Sequence, residues 1–181
     1  MKNKNSVFIA TSLDGFIADS NGGVGWLETV PNPNQDDMGI VAFFNSVDAI
    51  VMGRNTFEKV LSFGVDWPYP FPTYVLSNTM KVLPTGYEDK VQIVNGSLQE
   101  LLDTIHSKGH HHLYIDGGTV IQNFLKEDLI DELTIARIPI LLGGGIPLFK
   151  DLPKSQVYSH TKTEVHLNEI VQTTYSRKKT T

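Results

Sequence analysis

Val51-Met52-Gly53-Arg54-Asn55-Thr56 and Ile115-Asp116-Gly117-Gly118-Thr119 have one reading in common: an apolar run ends in glycine, and a helix-like pattern follows. A strand that turns through glycine into a helix leaves backbone N–H groups pointing outward, where the helix dipole favours an anion. Two such turns suit the two ends of a dinucleotide. Arg54, directly after the first glycine, adds a fixed positive charge whose forked donors match phosphate.

Working outward, residues 49–52 and 112–115 are the short apolar strands that enter these turns, and residues 56–61 and 120–125 are the helices that leave them. Upstream, residues 6–11 form a first strand, and Asp14-Gly15 turns the chain into Phe16-Ile17-Ala18. Residues 19–34 are a loop broken by glycines and prolines, and Asp36-Asp37 opens a helix carrying Ile40, Val41, Phe43, Phe44 and Val47. Between the glycine turns, Trp67-Pro68-Tyr69-Pro70-Phe71-Pro72 is a stiff connection, and residues 73–76 and 91–94 are strands. Ser97 with Glu100 three residues later is a capping box for a helix that runs to about His106. Residues 133–140, 156–165 and 169–175 make a strand-rich C-terminal third, interrupted by a bent loop at Gly143-Gly144-Gly145. Alternating strands and helices followed by strands predict an α/β fold: a mostly parallel sheet with helices on both faces and an antiparallel C-terminal edge.

The 181 residues, 40% of them hydrophobic, are the length of a single domain, and the formal charge of −5 argues against nucleic acid or an acidic membrane surface as partner. The only basic run is the short Arg177-Lys178-Lys179. No stretch approaches the roughly 20 apolar residues of a membrane span, and the N-terminus lacks the pattern of a signal peptide. With no cysteine, disulfides and thiolate metal sites are excluded, and the expected location is the cytoplasm. His110-His111-His112 is a poor metal site, because consecutive residues entering a strand point to opposite faces.

Ser12-Leu13-Asp14-Gly15-Phe16-Ile17-Ala18, the two glycine turns, and the run from Pro139 to Phe149 containing Gly143-Gly144-Gly145 occur in order through nearly the whole chain. In this order they resemble the dihydrofolate reductase-like superfamily, and within it the branch named for the C-terminal reductase domain of bacterial riboflavin biosynthesis. The resemblance implies a twisted sheet of about eight strands, a homodimer, NADPH as hydride donor, and a small heteroaromatic, pyrimidine- or pterin-like substrate. Ala10 and Ile17 match residues bordering the nicotinamide. Gly53, Arg54, Asn55 and Thr56 match the turn that holds the pyrophosphate and 2′-phosphate. Leu76, Ser77 and Asn78 match the adenine side, and Gly117, Gly118, Thr119 and Val120 match the second phosphate-facing turn. Family members often carry glycine where this chain has Asp116.

On the substrate side, Asp37 falls where the reductases place a buried, proton-holding carboxylate, although acids at a helix start also serve the dipole. Trp26 matches a tryptophan beside the mobile loop, and Asp14 is a candidate contact for a polar substrate, with an ordinary turn role as the alternative. Three departures argue against folate: Phe71-Pro72 stands where an arginine would grip the glutamate tail, Ala136 replaces a threonine, and Ile121 replaces a tyrosine facing the nicotinamide. The expected activity is therefore NADPH-dependent reduction of a C=N or C=O bond. The alternatives are a dinucleotide-binding module without turnover and a genuine dihydrofolate reductase.

Overall fold

Alternation along the strands sorts side chains between two apolar layers, and the helices follow from that sorting. The computed structural model describes residues 2–178, so Met1 and Lys179 of the basic run lie outside the described residues. In chain order the elements are β1 (Lys4–Thr11), β2 (Phe16–Ala18), a 3-10 helix (Gly25–Thr29), α1 (Ile40–Phe44), β3 (Ala49–Gly53), α2 (Arg54–Ser62), β4 (Thr73–Leu76) and β5 (Val91–Val94). They continue with α3 (Leu98–Ser107), β6 (His112–Asp116), α4 (Gly118–Lys126), β7 (Glu132–Arg137), β8 (Ile146–Pro147), β9 (Tyr158–His166) and β10 (Ile170–Arg177).

Eight strands form one sheet in the order β5-β4-β3-β6-β1-β7-β10-β9, and β2 with β8 forms a separate pair. Neighbours from β5 through β7 are parallel, whereas β10 is antiparallel to both β7 and β9. This is the mostly parallel sheet with an antiparallel C-terminal edge that the element pattern predicts. On one face Ala49 and Val51 of β3 and Leu113 and Ile115 of β6 pack with Leu101 and Ile105 of α3 and Val120, Ile121 and Phe124 of α4. On the other, Ile50, Met52 and Tyr114 pack with Phe43 of α1 and Phe57 of α2. The helices therefore cover both faces. Ser97 caps α3 through the expected box: its side chain accepts from the Glu100 N–H, and the Glu100 side chain accepts from the Ser97 N–H.

Three boundaries differ from expectation. No helix opens at Asp36. Left-handed backbone at Gln35 (φ 51°), Met38 (φ 50°) and Gly39 (φ 83°) interrupts the segment, and Asn32 holds its bend by bonding the Asp36 N–H and C=O, each at 2.8 Å. A helix cannot propagate through αL residues, so α1 is only five residues long. The strand predicted to reach residue 140 ends at Arg137, where the Ile140 N–H turns back onto the Ile138 carbonyl. The glycine run leads into β8, which pairs with β2. A Cβ at Gly145 would lie 2.2 Å from the Ala18 carbonyl oxygen, so only glycine lets the two strands meet.

The antiparallel edge is pinned by Arg177, whose side chain is 6% exposed. Its Nε and Nη2 donate to Asp128 Oδ1 and Oδ2 at 2.7 and 2.9 Å, and its guanidinium lies over the Tyr158 ring. The guanidinium holds the Asp128 carboxyl below its ordinary pKa, with Lys154 adding to the effect. Arg177→Ala removes the main partner of that carboxylate and should lower the unfolding free energy by about 2–3 kcal/mol in urea titrations. Arg177→Lys should recover only part of the loss, because lysine has no fork.

Candidate functional site

Met52 of β3 pairs with Asp116 of β6, so the carboxyl ends of two adjacent parallel strands stop side by side. Each strand continues directly into a helix, α2 from Gly53 and α4 from Gly117. The turns interlock. A Cβ at Gly117, where φ is 87°, would sit 2.1 Å from Thr56 Oγ1, and one at Gly53 would sit 3.3 Å from Val120 Cγ2. Gly118 faces Ile17 of β2, whose Cδ1 would be 2.7 Å from an added Cβ. Neither Gly53 nor Gly117 supplies a side-chain cap, in contrast to Ser97 at α3. The first-turn N–H groups of α2 and α4 are thus left for solvent or a ligand, and both dipoles make the place electropositive.

β1 pairs with β6 only from Lys4–His112 to Ser6–Tyr114, while its pairing with β7 continues to Thr11. Beyond Ser6 the sheet is split between β1 and β6. The split and the two turns open on one cleft of about 920 Å³, within the range of ligand sites. Its lining includes Ala10 and Ile17; Gly53, Arg54, Asn55 and Thr56; Leu76, Ser77 and Asn78; and Gly117, Gly118, Thr119 and Val120. The structure therefore gathers every residue expected at the cofactor side into one continuous surface. Lys59, Asn123 and Lys126 join them. Asn123 lies in the second turn of α4, a position that the turn pattern alone does not flag. Ser77 Oγ accepts from the Thr79 and Met80 N–H groups, which turns the chain at the end of β4. Arg54 Nε donates to Glu58 Oε1 at 2.7 Å, and Nη1 donates to Thr79 Oγ1 at 3.3 Å.

Asp116 and Tyr69 line the same cleft. Burial pushes the Asp116 carboxyl up to about 6, although the Gly117 N–H, donated to Oδ1 at 2.8 Å, and the adjacent Tyr114 phenol pull the other way. Burial, and then the Asp116 charge, hold the Tyr69 phenol well above its ordinary pKa. Tyr114 donates its hydroxyl to the Phe8 carbonyl at 3.0 Å, bridging the split from β6 to β1. Sequence reasoning missed Asp116 as a site acid. The available signal was a carboxylate standing in a turn where glycine is usual, and the alternating prolines around Tyr69 marked a rigid arm.

The substrate-side expectations need correction. Asp37 is exposed, and its carboxylate accepts from the Gly39 and Val41 N–H groups at 3.1 Å, which lowers its pKa instead of raising it. It caps α1 and is absent from the cleft lining. Asp14 uses Oδ1 to accept from the Ser12 hydroxyl and the Leu142 N–H, and Oδ2 to accept from the Gly143 N–H. It ties the first turn to the glycine loop. Trp26 is buried against Val30, Ala136, Ile138 and Ile170, and its neighbours Val24 and Leu27 line the cleft in its place. Ile121 is sealed in the core under α4, so that position does not face the cleft.

With this geometry in view, the comparisons place the chain. Residues 5–176 match the family model of the RibD C-terminal domain, and the chain belongs to that family. It is 35% identical over 155 residues, 84% of this chain and 86% of the relative, to the uncharacterized Bacillus subtilis protein YwjB. A crystal structure from Shewanella sp. PV-4, provisionally named a riboflavin biosynthesis protein, is 58% identical, with a TM-score of 0.95 over 97% of this chain and 99% of that one. Dihydrofolate reductase from Enterococcus faecalis, complexed with NADP(H), has the same fold at 19% identity, with a TM-score of 0.68 and 97% of each chain covered. The fold is dihydrofolate reductase-like, and the chain carries a reductase-type domain of the riboflavin-biosynthesis class.

The interlock at Gly117 is testable. Gly117→Ala places a methyl group against Thr56 Oγ1 at a φ that alanine resists, and should lower stability by about 2–3 kcal/mol. Thr56→Ala in the same chain removes the closest atom and should restore part of that loss, as thermal or urea unfolding of the two variants would show.

Proposed function

We propose that this chain is an NADPH-dependent reductase that reduces a C=N or C=O bond of a small heteroaromatic, pyrimidine- or pterin-like acceptor. The observation that carries the reading is the pair of uncapped helix starts packed against each other, with Arg54 and a protonatable carboxyl, Asp116, beside them in one cleft. The residues fit a phosphorylated dinucleotide: glycine at Gly53, Gly117 and Gly118 removes the side chains that would fill the cradle. First-turn N–H groups of α2 and α4 would take the pyrophosphate, Arg54 with Asn78 the 2′-phosphate, and Ala10 and Ile17 the nicotinamide side. When bound, the coenzyme supplies the hydride.

The chain's own residues do the rest. Val24, Leu27 and Ile17 wall the cleft and exclude water, while the split beyond Ser6 admits a planar ring. The Asp116 carboxyl, with Oδ1 accepting from the Gly117 N–H, holds a proton for the acceptor's nitrogen or oxygen. A pKa near 6 keeps about a tenth of the carboxyl protonated at neutral pH, a workable reserve for a general acid.

A folate acceptor is disfavoured by the packing. Phe71 meets Phe44 edge-on at 5.3 Å, and Phe8 stacks on Phe43 at 4.9 Å, so aromatic rings fill the space beside α1. We take residues 1–181 as one catalytic domain, a cytoplasmic homodimer whose C-terminal strands present exposed Val165 and Val171 to a second copy. No described helix is long and apolar enough to cross a membrane.

Calorimetry with NADPH, followed by NADPH oxidation against a panel of pyrimidine, pterin and quinonoid acceptors, tests the reading. Binding with oxidation of one acceptor class is the expected result; binding without any turnover would favour a coenzyme-binding module. Arg54→Ala should weaken NADPH far more than NADH, and equal losses would remove the 2′-phosphate assignment. Turnover should fall as pH rises through about 6, where Asp116 loses its proton, and Asp116→Asn should be slow at every pH, without that inflection. The same group gives a stability signature. Its folded pKa is raised, so the carboxyl costs stability as pH climbs from about 4 to above 6. Asp116→Asn should therefore melt higher than the native chain at pH 8, but not at pH 3.5.

A further inference from the structure

Arg54 does not stand free at the mouth of the cleft. It is the first residue of α2, and Glu58 lies one turn later on the same helix face, with Nε and Oε1 2.7 Å apart. A second arm of the fork, Nη1, donates to Thr79 Oγ1 at 3.3 Å. Both side chains are nearly half exposed, at 46% and 47%, so the ion pair is weak and open to exchange with a stronger anion. Arg54 and Glu58 also border a shallower cleft of about 480 Å³ formed with Thr79 and Met80, and Arg54 alone of the pair reaches the main cleft. The carboxylate thus holds the guanidinium from outside the main cleft. Of the other cations, Lys81 Nζ donates to the Asn78 carbonyl, Lys59 lies over the Phe63 ring, and Lys126 lines the main cleft from α4.

From this we propose that Glu58 sets the coenzyme selectivity of the cleft by competing with a 2′-phosphate for Arg54, whose guanidinium it already holds. The proposal rests on the reading of the cleft as a nicotinamide coenzyme site. A 2′-phosphate dianion at Arg54 either displaces the Glu58 carboxylate from Nε or, taking the Nη donors, lies close to the Glu58 charge, whereas a neutral hydroxyl meets neither cost. The native chain therefore binds NADH and NADPH with affinities closer together than a lone arginine would produce, and the Glu58 carboxylate is the reason.

Glu58→Gln keeps the side-chain length and the helix propensity while deleting the charge. Dissociation constants for NADPH and NADH, measured by calorimetry on the native chain and on this variant, test the proposal. The variant should bind NADPH about tenfold more tightly and NADH no better than before, and the gain should shrink between about 20 mM and about 0.5 M salt, as expected for exposed charges. A salt-dependent shift in selectivity is a response that a purely structural helix pair would not produce. If the native chain binds coenzyme but the NADPH-to-NADH ratio in the variant stays within about twofold of the native ratio, Glu58 has no such role. If the native chain binds neither coenzyme, the reading of the site itself falls, and this inference falls with it.

Discussion

The register that sets Met52 beside Asp116 is the constraint on which the site depends. Adjacent parallel strands that end level with each other must send their chains off in the same direction, and here both leave through glycine into helices. Two helices can start this close together only if no side chain stands between them. Gly53 and Gly117 meet that requirement, with Val120 and Thr56 occupying the space that Cβ atoms would need. The consequence is electrostatic: two sets of unpaired N–H groups and two positive dipole ends converge on one patch of surface.

A second constraint shapes the opposite end of the cleft. Pairing between β1 and β6 stops at Ser6 and Tyr114, although β1 stays bonded to β7 to its end. The gap is bridged by the Tyr114 hydroxyl on the Phe8 carbonyl and floored by Asp116. The cleft therefore gathers Arg54, Lys126 and a carboxyl whose pKa burial raises to about 6 into one lining, with Asp116 directly beside the glycine turns. In this chain Asp37 is tied up at the start of α1, and Asp116 in the second glycine turn is the acid that lines the cleft.

The glycine turns, the capping box at Ser97 and the alternation of Ala49, Ile50, Val51 and Met52 were legible because each is a local pattern whose physics is complete within a few residues. The turn residues that line the cleft were legible for the same reason, since strand, glycine and helix start follow one another within a few residues. For Asp37 and Asp14 the pattern left a contact and a local structural role both open, and for these two and Trp26 the side chains are engaged by neighbours that the pattern does not reveal. Asp37 caps α1, Asp14 bonds the loop at Leu142 and Gly143, and Trp26 is buried under β7 and β10. The short α1 was hidden by left-handed backbone at Met38 and Gln35, which the Asn32 side chain on Asp36 and Gln172 on the Met38 carbonyl hold in place.

What the amino-acid order by itself determined is the set of strand–glycine–helix units and the layer each apolar residue occupies, because periodicity and chirality act over short distances. Tertiary structure alone decided that the two units are neighbours, that β1 and β6 part company, and that Asp116 and Tyr69 face the same space. Those facts depend on strand order and register across more than a hundred residues of chain, and on burial, which gives a carboxyl its pKa only after the sheet has closed around it.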